Sequence, residues 1–262
     1  MRLVDAHCHF DFPRFDGVRE QELEKAATGG VRGLVIPGVR QADWARVQGC
    51  ADPGRGLWYC LGVHPWYVDE HGPEDLEHLE SLLASAPAAC LGVGECGLDA
   101  LHGTLDNQLP WFRAQVALAA GYRLPLVIHS VRTHDRIHGI LRAENWQGRA
   151  LVHGFSGSYQ QAKKLVDLGC FIGVGGVITH DRAKKTRDAI ARLPADALVL
   201  ETDAPDMAPQ GVEKGRNSPA FLPGILASLA QLRGEEQDAL ARQLLDNVSR
   251  LYGRQAEILA PR

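Results

Sequence analysis

The first nine residues carry the pattern with the most chemistry in it. Asp5-Ala6-His7-Cys8-His9 follows the apolar pair Leu3-Val4. Side chains alternate along a strand, so two histidines one residue apart share a face and aim both imidazoles at one spot. Two neutral nitrogens converging there suit a metal ion, and a polar pair on an exposed edge would give the same spacing. Further ligands delivered to the same place by other elements would decide for the metal.

Those elements alternate along the chain. Apolar runs punctuated by Gly and Pro predict strands at 2–9, 31–36, 57–63, 90–95, 125–129, 149–153, 170–175 and 197–203. Helical periodicity predicts helices at 19–29, 41–50, 73–86, 106–121, 134–144, 158–168 and 183–192, then 218–232 and 235–252. Eight strand–helix units over 262 residues are the order of an α/β protein, a (β/α)₈ TIM barrel, here with an extra C-terminal helix. An open doubly wound sheet would want a Gly-rich phosphate loop after its first strand, and the sequence has none. No repeat, low-complexity tract or long linker divides the chain, so a single domain is expected over 1–262.

In a barrel the C-terminal strand ends ring one mouth, where catalytic groups sit. The first predicted strand delivers His7 and His9 there, the third His64, the fourth Glu95, the fifth His129, the sixth His153 and the eighth Asp203. A single buried imidazole is usually a satisfied core residue. Five together with two carboxylates point to metal. Six ligands, His7, His9, Glu95, His129, His153 and Asp203, are too many for one tetrahedral site with an open position. They suit two divalent ions that share Glu95, with His7, His9 and Asp203 on one side and His129 and His153 on the other. Two such ions about 3.5–4 Å apart would generate a bridging hydroxide and hold a displacement at both oxygens. Two carboxylates and one hydroxide leave such a pair with net positive charge, which favours an anionic substrate such as a phosphate ester. The ions are expected to be zinc, manganese or magnesium, the choice left open; imidazole suits the transition metals better than magnesium.

Other polar residues are read more plainly. His71, His78, His134 and His138 are expected on exposed helix surfaces, and His102 and His180 in loops, with His180 near enough to the mouth to touch substrate. Arg132, Arg216 and the basic stretch 182–187 offer anion contacts, Arg132 and Arg216 being the better candidates. Lys and Arg number 28 against 32 Asp and Glu, so no global basic field exists for nucleic acid and any anion site must be local. The N-terminus enters a strand without an apolar stretch fit for a signal peptide or membrane helix, and a cytoplasmic protein with no membrane contact, a monomer, is expected. Six cysteines at irregular spacing, none in C-x-x-C, read as reduced core residues.

The chain also resembles a known family, the TatD-type metal-dependent deoxyribonucleases of the amidohydrolase-like barrel superfamily. The resemblance lies in Asp-Ala-His-Cys-His (5–9), Gly-Val-His-Pro (62–65), Gly-Glu-Cys-Gly-Leu-Asp (94–99), Ile-His-Ser (128–130), His-Gly-Phe-Ser-Gly (153–157), Glu-Thr-Asp-Ala-Pro (201–205) and Arg-Asn-Ser-Pro (216–219). Ile-Gly-Val-Gly-Gly (172–176) and Asp-Ala-Pro-Asp-Met (203–207) look most like its YjjV branch. The resemblance implies the same six ligands for two divalent ions, and makes His64 a group behind the ligands or on a substrate phosphate. Two positions depart from the family pattern: His64-Pro65 is followed by Trp66 instead of a second histidine, and Val131 replaces an arginine, with Arg132 displaced by one.

The expected activity is a two-metal phosphodiesterase or deoxyribonuclease on DNA ends or short oligonucleotides, with Asp203 as ligand and proton acceptor and Glu95 as bridge. A hydrolase of a small ester, amide or lactone would use the same centre on a carbonyl, and a metal-binding protein without turnover is the third alternative. Glu201 is either an acid behind the ligands or a structural one, and Trp66 either stacks a base or packs on a loop.

Overall fold

The computed structural model describes residues 1–85 and 87–253. The strands are β1 (Leu3–Asp5), β2 (Val31–Pro37), β3 (Leu57–Leu61), β4 (Cys90–Asp99), β5 (Leu126–Val131), β6 (Ala150–Val152), β7 (Cys170–Val174) and β8 (Leu198–Leu200). The α-helices are α1 (Arg19–Thr28), α2 (Gln41–Cys50), α3 (Pro73–Ala84), α4 (Leu105–Tyr122), α5 (His134–Ala143), α6 (Tyr159–Val166), α7 (Lys184–Arg192), α8 (Leu222–Arg233) and α9 (Gln237–Tyr252). The strands pair in parallel and in chain order within one sheet, the TIM barrel expected, and α9 is the extra C-terminal helix. Residue 86 of the expected third helix and residues 254–262 of the expected domain lie outside the described residues. Among the described residues, no helix is long and apolar enough to cross a membrane.

Two apolar clusters follow from strand parity. Val4, Val35, Trp58, Leu91, Val127, Leu151, Phe171 and Val199 form the inner one, and Val248, Leu251 and Tyr252 of α9 close it from below. Leu34, Leu61, Ile128, Ile172 and Leu200 belong to the outer one, between sheet and helices. Each strand is buried on both faces, as a barrel requires.

Strict alternation would misplace two of the site's elements. Val4 and Ala6 face the barrel interior, so His7 would point outward with Leu3. The chain bends at Ala6 as β1 ends, and this change of phase turns His7 and His9 together into the mouth, with Cys8 in the outer core. In β4 the pairing with β5 runs Val93 to Leu126 and then Cys96 to Ile128, three residues against two. A bulge of this kind re-aims side chains. Leu91 faces inward and Cys96 and Leu98 outward, so Glu95 and Asp99 both face the mouth. Gly94 makes the bulge sterically possible: its φ is 146°, and a Cβ there would lie 2.5 Å from Val127 O.

The predicted first and eighth strands are longer than the observed ones because the β1–β8 seam closes without a regular ladder. Ala6 N–H donates to Leu200 O, Asp203 N–H to His7 O and His9 N–H to Ala204 O, each at 2.9 Å. Asp5, fully buried, ties the same seam: it accepts Thr202 N–H at 2.9 Å and the Thr202 hydroxyl at 2.6 Å. Burial nonetheless outweighs these bonds and pushes its carboxyl up to about 7. Asn217 holds the following loop, donating to Thr202 O and Asp206 O at 2.8 and 2.7 Å.

Replacing Asp5 with Ala leaves two buried Thr202 donors without an acceptor, at a cost of about 2–4 kcal/mol. Urea unfolding is expected to show this loss, with Asp5→Asn, which keeps one acceptor, losing less. Equal midpoints for wild type and Asp5→Ala would remove Asp5 from the seam's stability.

Candidate metal centre

A cavity of about 520 Å³ opens at the barrel mouth, and His9, His64, Glu95, His129, His153 and Asp203 line it, with His7 fully buried beneath them. The tightest grouping comes from β1, β4 and the segment after β8. His7 Nε2 lies 3.3 Å from His9 Nε2, 3.3 Å from Glu95 Oε2 and 3.2 Å from Asp203 Oδ1. His9 Nε2 lies 3.2 Å from Glu95 Oε2 and 3.4 Å from Asp203 Oδ1. Five of the six edges of this four-atom figure are therefore near 3.3 Å. A regular tetrahedron of that edge has its centre about 2.0 Å from each corner, the bond length of zinc to imidazole nitrogen or carboxylate oxygen. Glu95 Oε2 is moreover buried without a hydrogen-bond partner among the described residues. These donors fit a divalent cation by both type and spacing.

The other carboxylate oxygen of Glu95 gathers a second set. Glu95 Oε1 lies 2.8 Å from His153 Nε2, 3.1 Å from His129 Nδ1 and 3.1 Å from His64 Nε2. His153 also stacks flat on His7, with ring centroids 3.8 Å apart, and its Nδ1 is 4.0 Å from Asp203 Oδ1. His153 thus touches both sets. The backbone fixes the tautomer of His64. Trp66 N–H donates to His64 Nδ1 at 3.1 Å, so in the neutral ring the proton sits on Nε2 and is directed at Glu95. Burial lowers the His64 pKa, which keeps that ring neutral.

The electrostatics follow from desolvation set against these pairs. Burial pulls His7 and His129 down, but carboxylates outweigh it: Glu95 and Asp203 hold His7 up at about 9, and Asp99 and Glu95 do the same for His129. His9 is raised in the same way by Asp203 and Glu95. Burial and the charge on His7 take His153 down to about 4. Against its own burial, Glu95 is held well below the usual carboxylate range by His153, His64 and His7, and Asp203 likewise by His7 and His9.

Asp99 is the site residue that sequence reasoning missed. Its Oδ2 lies 3.0 Å from His129 Nε2 and accepts Trp66 Nε1–H at 2.7 Å, while Oδ1 accepts Leu101 N–H at 2.8 Å. These bonds overcome its burial and hold it at about 2. The available signal was the spacing: had the fourth strand been continued past 95, positions 95 and 99 would have fallen on one face.

The remaining expected contacts divide. Arg132, at φ 56° directly after β5, lines the cavity. Arg216 does not: it is exposed and its Nε is 3.8 Å from Glu213 Oε2. None of residues 182–187 lines the cavity, and His180 faces Ala208 O at 3.0 Å instead of substrate space. His134, expected on a helix surface, is buried on the cavity wall, edge-on to Phe155. His71 is a structural link, accepting Gln41 N–H at Nε2. Glu201 lies inside the barrel under His153, accepts Gly154 N–H at 2.6 Å, and is raised by burial to about 8. Gly173 leaves it that space, since a Cβ there would meet its carboxylate at 2.4 Å.

In chelator-treated protein the His129 ring is expected to titrate near 9, and Asp99→Asn, which removes one of its two carboxylate partners, to move that titration down. NMR of the imidazole protons reads this directly, and an unmoved His129 would mean that Asp99 does not hold its proton.

The chain matches the family model described as TatD related DNase over residues 4–253. It is 43% identical to the metal-dependent hydrolase YjjV of Escherichia coli over 96% of this chain and 98% of that one. It is 35% identical to the 3'-5' ssDNA/RNA exonuclease TatD of Klebsiella pneumoniae, again over 96% of this chain and 98% of that one. The crystal structure of Escherichia coli YjjV superposes with a TM-score of 0.91 at 42% identity, covering 96% of this chain and 98% of that chain. With a match of this extent, and the mouth built as described, the chain belongs to the TatD-related DNase family.

Proposed function

We propose that this protein is a two-metal phosphodiesterase that trims DNA ends or short oligonucleotides, as a single cytoplasmic domain, monomeric. The observation that carries the reading is the tetrahedral set His7, His9, Glu95 and Asp203, with Glu95 reaching a second histidine set through its other oxygen. The substrate class is supported by the relative named as a 3'-5' ssDNA/RNA exonuclease. In this reading His7, His9, Glu95 and Asp203 would hold one divalent ion, and Glu95, His129 and His153 would hold a second. Bound there, two such ions would acidify a water and neutralise a phosphodiester anion.

The chain's own residues supply the rest. Glu95 spans the two sets, one oxygen to each. Asp203 uses Oδ1 for both N-terminal histidines while its carboxylate stands on the cavity wall, where it takes up the nucleophile's proton. His64 keeps its Nε2 proton at the centre, and Arg132 on the rim is the cation nearest to hand for a second phosphate. Asp99 fixes the His129 ring from behind, the arrangement that orients metal-binding imidazoles.

Elemental analysis of protein purified without chelator is expected to give about two divalent ions per chain, and the same sample to shorten a labelled single-stranded oligonucleotide. Absence of metal even after reconstitution would defeat the reading at its base. Asp203→Asn is expected to lower kcat by at least about 100-fold with the circular dichroism spectrum unchanged. Wild-type rates at matched metal content would take Asp203 out of the reaction. Because His7 and His129 hold protons up to about 9, an entering cation must displace them, so metal affinity is expected to climb from pH 7 to pH 9 with proton release. Calorimetry in buffers of different ionisation enthalpy measures that release.

A further inference from the structure

We propose that Trp66 is a stacking platform for the nucleobase next to the scissile phosphate, and so sets a preference for substrates with an aromatic group at that position. The proposal rests on the phosphodiesterase reading above and names a part of the substrate that the centre itself does not recognise.

Among the described residues, Trp66 is the exposed aromatic ring on the cavity wall, 47% accessible. A tryptophan so exposed, in the short 3-10 helix Pro65–Glu70 that follows β3, would ordinarily sample several rotamers, but three contacts fix this one. Its Nε1–H donates to Asp99 Oδ2 at 2.7 Å. The His102 ring stacks on it, with centroids 4.9 Å apart and planes 21° off parallel. His64 meets it edge-on at 5.2 Å. The indole lines the cavity, while the His102 ring stacked on it does not. An anchored aromatic face costs little ordering entropy when a flat ligand lands on it.

The position matches one nucleotide. The Trp66 ring centroid is 6.3 Å from that of His129, itself in contact with Glu95, so a base on the platform leaves its own phosphate at the carboxylate–imidazole cluster. Leu101, Val131 and Met207 line the same cavity and give it apolar surface suited to a base, with Arg132 beside Val131. Asp99 connects platform and centre, because the oxygen that holds the indole also holds His129.

The test compares ligands with and without a base on the metal-loaded enzyme. One measurement is kcat/KM for single-stranded oligonucleotides ending in a normal nucleotide or in its abasic tetrahydrofuran analogue. The other is calorimetric binding of dAMP against deoxyribose 5-phosphate, which needs no turnover. Wild type is expected to favour the base-bearing partner by about 5- to 100-fold in each. Trp66→Leu is expected to abolish both preferences, and Trp66→Phe, which keeps a ring but loses the Asp99 bond, to retain part of them. Equal binding of the two ligands by wild type, or an undiminished preference in Trp66→Leu, would overturn the proposal. So would a solution dimer that Trp66→Leu dissolves, since the face would then belong to a second copy. If no oligonucleotide is cut but the dAMP preference disappears in Trp66→Leu, the platform stands and the phosphodiesterase reading falls.

Discussion

Glu95 is a carboxylate at 1% exposure with imidazoles against both of its oxygens, and among the described residues those imidazoles are the groups that bear its charge. An ionised carboxylate stripped of water costs several kcal/mol unless opposite charge and hydrogen bonds surround it. Five histidines from four different strand ends do so here, which is possible only where all eight strands bring their ends to one ring. The barrel and the centre are therefore one constraint. The bulge at Gly94 that puts Glu95 in the middle, the bend at Ala6 that turns His7 and His9 inward, and the seam that holds Asp203 opposite them all serve the same charge.

That seam explains why the polar network under the mouth is structural. β1 and β8 are three residues each, too short to close a barrel by a ladder alone, and their ends carry His7, His9 and Asp203 in irregular backbone. Asp5 with Thr202, and Asn217 with Thr202 O and Asp206 O, replace the missing ladder by side-chain bonds. Such bonds leave the backbone free to adopt the conformations the ligands need, including Asp203 at φ 56°.

The barrel order and the convergence of His7, His9, Glu95, His129, His153 and Asp203 were legible because both depend on type and spacing: apolar runs at regular intervals, and polar residues at their ends. Side-chain phase was less so. Alternation correctly pairs His7 with His9, yet it is the bend at Ala6 that decides which way the pair faces, and no residue type announces that bend. Asp99 escaped for the related reason that a bulge lengthens β4 past the point where the apolar run appears to stop. Arg216 and the 182–187 run were misjudged because charge in sequence does not say which side of a rim a flexible side chain takes. His134 erred in the other direction: a histidine in a polar helix start reads as solvent-facing, and only the packing of Phe155 against it encloses it.

Asp99 also changes the charge balance on which an anionic substrate was inferred. Three carboxylates held ionised, Glu95, Asp99 and Asp203, face three imidazoles held protonated, His7, His9 and His129, while His64 and His153 stay neutral. The cluster is balanced by protons when no cation is present, which lets it fold as a buried unit before loading. With one hydroxide counted, two divalent ions in place of the three protons would leave the centre neutral, four positive charges against three carboxylates and the hydroxide. Among the described residues Arg132 is the cationic side chain that lines the cavity, so a phosphate at the mouth meets positive side-chain charge there.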